Sequence, residues 1–240
     1  MTPIMRPFLA ILTIIISSVF ASCNFNCVPR SGREVAETRN VPAFKRLELS
    51  GAMKVYIRQS SNSTVNIEAD ENVIKHIKTR VSGGTLEIDP SLNICDGGEI
   101  KVYVTTPSLE GLTASGAVEV DNGGLIMAKD FKIHMSGTCK IKLNLETGHL
   151  ESESSGAAEL TLSGKAAIHD VEMSGACSLS AFGLKVARYN ISTSGACGVK
   201  VSVDEELNVS SSGAGQVEYK GNPRSVNNKT SGASSVTKAG

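Results

Sequence analysis

A Ser-Gly-Ala triplet that returns about every nineteen residues constrains this chain more than any other feature. It stands at Ser115-Gly116-Ala117, Ser136-Gly137-Thr138, Ser155-Gly156-Ala157, Ser174-Gly175-Ala176, Ser194-Gly195-Ala196, Ser212-Gly213-Ala214 and Ser231-Gly232-Ala233, with Thr replacing Ala once. An earlier copy stands alone at Ser50-Gly51-Ala52. The last seven are separated by 21, 19, 19, 20, 18 and 19 residues. A fixed period of this length marks stacked supersecondary units, each of which buries its apolar face only against its neighbours.

The register within each repeat is that of a strand. With the triplet Ser as zero, position three carries Val118, Cys139, Ala158, Cys177, Cys197, Gly215 and Ser234. Position five carries Val120, Ile141, Leu160, Leu179, Val199, Val217 and Val236, with mostly polar residues between. That is period two, with one face buried. The segment before the triplet alternates as well: Phe131, Ile133 and Met135 share a face, as do Tyr189 and Ile191. Each repeat therefore reads as two short strands joined at Ser-Gly-Ala. Turns fall at Gly123-Gly124, Gly164, Gly183 and Gly221-Asn222-Pro223.

The expected fold is all-β: a single-stranded β-solenoid with coils about 4.8 Å apart. Gly116, Gly137, Gly156, Gly175, Gly195, Gly213 and Gly232 form its corner ladder. A corner needs positive φ or close chain approach, and glycine tolerates both. The absence of any helical stripe excludes tetratricopeptide, ankyrin and HEAT repeats. Calcium-binding β-helices need Asp at fixed offsets, and no such Asp recurs, so no metal is expected. No cofactor motif stands out.

Lys plus Arg equals Asp plus Glu at 24 each, which leaves no electrostatic footprint for nucleic acid. Aromatic residues are 4% and Trp is absent, which lowers the prospect of a sugar platform built on stacked rings.

The N-terminus reads as a targeting segment, residues 1–22. Arg6 supplies a positive region, and Phe8 to Phe20 is an apolar run too short to span a bilayer comfortably. Ala21-Ser22-Cys23 resembles the lipobox of bacterial lipoproteins, with Phe20 where Leu is usual. The resemblance implies cleavage before Cys23 and a diacylglycerol on its sulfur, tethering the chain to a membrane. An ordinary secretory signal cleaved nearby is the alternative, and the chain is exported in either case.

Six cysteines in an exported chain suggest disulfides. Setting Cys23 aside leaves Cys27, Cys95, Cys139, Cys177 and Cys197. The last three share the inward column at position three. Cys177 and Cys197 fall on adjacent coils, but parallel Cβ vectors suit a bridge poorly, so buried thiols are expected. Cys27 and Cys95 could pair. No spacing suggests a zinc site.

Residues 23–40 read as a lipid-anchored tether without apolar period. The β pattern begins at Phe44, and 41–240 reads as one domain: a less regular half, 41–112, of the same winding, then regular repeats, 113–240. Residues 71 to 80 are ambiguous, with Val73, Ile74 and Ile77 able to line a short helical turn. The final coil places Asn228, Thr230 and Ser234 in inward columns, as a polar cap would; docking of this end onto another subunit is the alternative.

From about residue 40 to the C-terminus the chain resembles the head GIN domain family, described as auto-transporter adhesins of bacterial envelopes. The resemblance rests on ordered features: Phe44-x-x-Leu47-x-Leu49-Ser50-Gly51 followed by Val55 and Ile57; Gly83-Gly84-Thr85-Leu86-x-Ile88; Pro107-x-Leu109-x-x-Leu112-x-x-Ser115-Gly116; then the triplet series. It implies a β-helical fold and an exported, often lipid-anchored protein that acts in adhesion, with no catalytic residues to carry over.

Three functions are weighed. The first is a non-enzymatic surface adhesin or envelope module that presents an extended face to a polysaccharide or surface protein. Outward rows such as Lys140 and Lys142 beside Glu119 and Glu159 belong to that face. The second is a polysaccharide-degrading enzyme, which needs convergent carboxylates in a groove. Asp130, His134, His169 and Asp170 are the nearby candidates, but His169 shares the inward column of Phe131, Leu150 and Tyr189, and His134 faces outward. The third is a periplasm-facing lipoprotein that binds an envelope component or partner protein. The expected location is the cell envelope, as an outer-membrane lipoprotein on its surface or periplasmic face.

Overall fold

The structure, a computed structural model, describes residues 27–91, 93–95 and 98–240. The signal segment and Cys23 lie outside the described residues. The chain is all-β with an open sheet. The strands are β1 (Cys27–Val28), β2 (Glu34–Asn40), β3 (Arg46–Gln59), β4 (Thr64–Asp70), β5 (Ile77–Ser82), β6 (Thr85–Pro90), β7 (Asn93–Ile94), β8 (Lys101–Thr106), β9 (Gly111–Asn122), the long extended stretch β10 (Ile126–Gly213), β11 (Gln216–Lys220), β12 (Ser225–Thr230) and β13 (Ser235–Lys238). A 3-10 turn at Ile74–His76 falls in the ambiguous segment and buries Ile74.

The main sheet runs β13-β11-β10-β9-β3-β8-β4-β2. Its repeat region pairs in parallel, triplet on triplet. Ser136 and Gly137 lie on Ser115 and Gly116. Those two in turn lie on Ser50 and Gly51, so the early copy is a rung of the same column despite a separation of 65 positions. Val199, Val217 and Val236 align in the same way further on.

Backbone crowding explains the glycines. From Gly51 to Gly213 the triplet glycines have φ between 87° and 104°. A Cβ on Gly175 would lie 2.5 Å from Gly156 O, and one on Gly195 would lie 2.5 Å from Gly175 O. Each rung thus leaves its neighbour no room for a side chain. The column ends against Pro90, whose ring covers Gly51 on the side away from Gly116.

The inward columns form the core. Leu160, Leu179 and Val201 are fully buried, and Phe131, Ile133 and Val199 nearly so. Cys139, Cys177 and Cys197 are buried thiols. Each points its sulfur at the carbonyl of its own triplet Ser, at 3.3 Å (Ser136), 3.2 Å (Ser174) and 3.5 Å (Ser194). A small weak donor suits that corner, and burial raises the Cys139 and Cys197 thiols above their ordinary pKa. The core also holds polar groups. Thr193 donates to Ser211 at 2.8 Å, and His169 Nε2 lies 2.9 Å from Ser152 Oγ. The His169 ring leans on Tyr189, with centroids 5.1 Å apart. His169 Nδ1 and the Tyr189 hydroxyl have no protein partner.

Two segments differ from the sequence expectations. The half at 41–112, expected to repeat the same winding, adds antiparallel pairs: β4 with β2 and with β8, and β5 with β6. Gly83 and Gly84 cause part of this. Both have positive φ (56° and 74°), and together they close the two-residue β5–β6 hairpin that pairs Ser82 with Thr85. The segment read as a tether belongs to the fold from Cys27 onward: Cys27 is disulfide-bonded to Cys95, and β2 pairs with β4 over seven residues. An edge strand of mixed polarity leaves no apolar period to read. The last coil is polar and open: Asn228 and Thr230 are exposed, and Val226 is 39% exposed.

Two outcomes follow. Gly175→Ala should lower stability by at least about 2 kcal/mol in urea unfolding. Gly198→Ala, where the space is open and φ is ordinary, should change it little. For His169, burial lowers the pKa from 6.5 to about 3. The folded chain then keeps a neutral ring while the unfolded chain takes up a proton below about pH 6.5, so the stabilisation is complete above that pH and declines below it. Between pH 6.5 and 5 the wild type should lose about 1.5 kcal/mol that His169→Leu does not.

Candidate functional site: a polar groove crossed by an amide ladder

The outward column four residues before each triplet Ser reads Lys132, Glu151, Asp170, Asn190, Asn208 and Asn227. Parallel stacking turns this spacing into a continuous hydrogen-bonded row. Asn190 Nδ2 donates to Asp170 Oδ1 at 2.7 Å, Asn208 Nδ2 to Asn190 Oδ1 at 2.9 Å, and Asn227 Nδ2 to Asn208 Oδ1 at 2.9 Å. Such side-chain ladders polarise along their length. At the other end Lys132 pairs with Glu151.

This row floors a groove of about 940 Å³, flanked by Glu153, Glu172, Ser192, Ser210 and Lys229. Its chemistry is acceptor-rich. The second N–H groups of Asn208 and Asn227 are taken by Glu206 and Ser225. The amide oxygens of Asn190 and Asn208 each keep a free lone pair, and carboxylates stand beside them. The rungs repeat about every 4.8 Å.

Asp170 is the hinge of the row. It accepts from Asn190 through Oδ1, and its Oδ2 lies 2.6 Å from His149 Nε2. Partial burial works to raise its pKa. The bonds from Asn190 and His149 outweigh this and hold the carboxylate below its ordinary value.

The sequence candidates separate. His169 and Asp170 are chain neighbours on opposite faces of a strand, so the buried imidazole does not meet the outward carboxylate. His134 lies on the surface, 3.2 Å from Glu153, and Asp130 is exposed. Lys140 pairs with Glu159 at 3.3 Å and Lys142 with Asp121 at 3.6 Å, as solvated pairs on the other side of the corner. The seven corner glycines lie in the backbone column and present no groups to a ligand. Sequence reasoning missed His149 and the three asparagines. Reading the outward columns as the inward ones were read would have shown Asn recurring in one register. Among the described residues no three His, Cys, Asp or Glu side chains are grouped to hold a metal ion.

Solved structures share this fold. A protein of Bacteroides fragilis described as a "putative adhesin" superposes with a TM-score of 0.83 at 19% identity, covering 88% of this chain and all of that one. One of Parabacteroides merdae gives 0.73 at 19% identity, covering 89% and 99%. A Parabacteroides distasonis protein described as a "putative lipid binding protein" gives 0.68 at 16% identity, covering 90% and 100%. No functionally curated protein matches this chain in sequence. The family model described as "Putative auto-transporter adhesin, head GIN domain" matches residues 43–223, and the chain belongs to that family.

Proposed function

We propose that this chain is an exported, lipid-anchored surface protein that binds an extended hydroxyl-rich polymer, a polysaccharide, in the groove floored by Asp170, Asn190, Asn208 and Asn227, without catalysing a reaction. Its body is a single-stranded β-solenoid, wound so that outward columns become continuous rows. Cys23 carries the lipid, after removal of residues 1–22, and holds the protein at the outer membrane. The observation that carries the reading is the amide ladder. It fixes acceptors at a spacing close to the rise of one sugar ring in an extended glycan. Hydroxyl groups can donate to these acceptors, while the second N–H of Asn190 and the Lys229 ammonium can answer their oxygens. Many weak contacts along a rigid row suit adhesion, because affinity then grows with the number of rungs engaged. The adhesin description of the family supports the same reading.

Native affinity electrophoresis against a panel of neutral and acidic polysaccharides tests it. At least one neutral polysaccharide should retard the protein. Asn190→Ala with Asn208→Ala should weaken that retardation about tenfold, equivalent to about 1.4 kcal/mol, and leave the melting temperature nearly unchanged. Equal retardation of the variant, or none of the wild type by any polymer, overturns the reading.

A further inference from the structure

The first described residues are fixed three times within a short stretch. Cys27 is bonded to Cys95, with Cα atoms 5.1 Å apart. Asp70, 5% exposed, then gathers the next residues. Ser31 donates to its Oδ1 through both the backbone N–H, at 2.7 Å, and the hydroxyl. Gly32 N–H donates to Oδ2 at 2.8 Å, and Arg30 Nε lies 3.6 Å from the same oxygen. The Ser31 hydroxyl bond is the chief cause that holds this carboxyl below its ordinary pKa. Finally β2 adds as an edge strand against β4. A covalent link, a set of charge-assisted hydrogen bonds and a sheet ladder therefore hold the arm.

From Cys23 to Cys27 only Asn24, Phe25 and Asn26 intervene. Four fully extended steps span at most about 14 Å. A free spacer from 23 to 40 would instead reach about 60 Å when extended. β2 and β13 stand at opposite ends of the main sheet. From β2 the path crosses β4, β8, β3, β9, the four β10 rungs with triplets at Ser136, Ser155, Ser174 and Ser194, and β11 before it reaches β13. At 4.7–4.9 Å per step, that places them about 48 Å apart. The leash is therefore much shorter than the body it holds. The disulfide lies at the β2 end, because Pro90, five residues before Cys95, covers the last glycine rung there.

We propose that the β2 end of the sheet is seated directly on the lipid bilayer and that the stack stands away from it, with β12 and β13 outermost. This rests on the lipid anchor at Cys23 proposed above and adds the geometry of attachment. The disulfide and Asp70 convert an acyl anchor into an oriented mount. The groove then opens along the side of the stack, with its Asn227 end distal. A leash this short holds the disulfide near the headgroup layer once the acyl chains are inserted.

Energy transfer on vesicles tests the seat. The acylated protein, isolated from membranes, is reconstituted into phosphatidylcholine vesicles that carry a headgroup-labelled acceptor. A donor is attached through Ala36→Cys on β2 or Thr237→Cys on β13, both exposed, while the buried native thiols stay unlabelled. Transfer should be several-fold stronger from position 36 than from 237. Inserting about twenty Gly and Ser residues after Asn26, which adds about 25 Å of reach, should weaken transfer from position 36. Equal transfer from the two positions, or no response to the insert, overturns the seat. Flotation of the same vesicles separates the two readings. Protein that floats with equal transfer keeps the anchor and loses the seat. Protein that does not float loses both.

Discussion

At the corner of each repeat the glycine backbones approach so closely that only glycine fits, and the stacking of these corners sets everything else. A Cβ on the triplet glycine would strike the carbonyl of the rung below at 2.5–2.7 Å along most of the column. With φ near 100°, the position resists every side chain twice, by torsion and by contact. Once the corners stack, parallel strands fall into register and each column becomes a row. The inward rows need only volume and low polarity. The thiols at Cys139, Cys177 and Cys197 meet that need and also answer the corner carbonyls.

This arrangement divides the labour between faces. The inward columns and the glycines are spent on stacking, so chemistry that varies from rung to rung must lie outward. On one side of the corner that chemistry is solvated ion pairs of little energetic weight. On the other it is a directed chain of amides ending on a carboxylate. Neighbours in a column bond across rungs on both sides, as Lys140 does with Glu159. What separates the sides is that asparagine, donor and acceptor at once, recurs in one register on the ladder side only, so that Asn190 donates to Asp170 at 2.7 Å and accepts from the next rung.

Much of this was legible in the sequence because the repeat is regular. The triplet period, the inward columns and the all-β class follow from spacing alone, and His169 was correctly placed inside by its column. The N-terminal half was less legible for a physical reason. Its rungs at Ser50 and Ser115 are separated by an insert whose strands turn back on themselves, and the turning residues Gly83-Gly84 were read as part of a motif instead of as a hairpin. Residues 27–40 were misread because their order comes from long-range links, Cys27 to Cys95 and Ser31 to Asp70, which leave no local period. The amide ladder leaves only a recurrence of Asn in one outward column, a faint signal because polar residues there usually just meet water.

The proposed anchor and orientation place the groove outside the cell. Protease treatment of intact cells, followed by an immunoblot for this chain, decides the matter. The domain should be digested while a control protein beneath the outer membrane survives. Survival on intact cells, with cleavage only after that membrane is opened, would contradict this location and place the groove before partners inside the envelope.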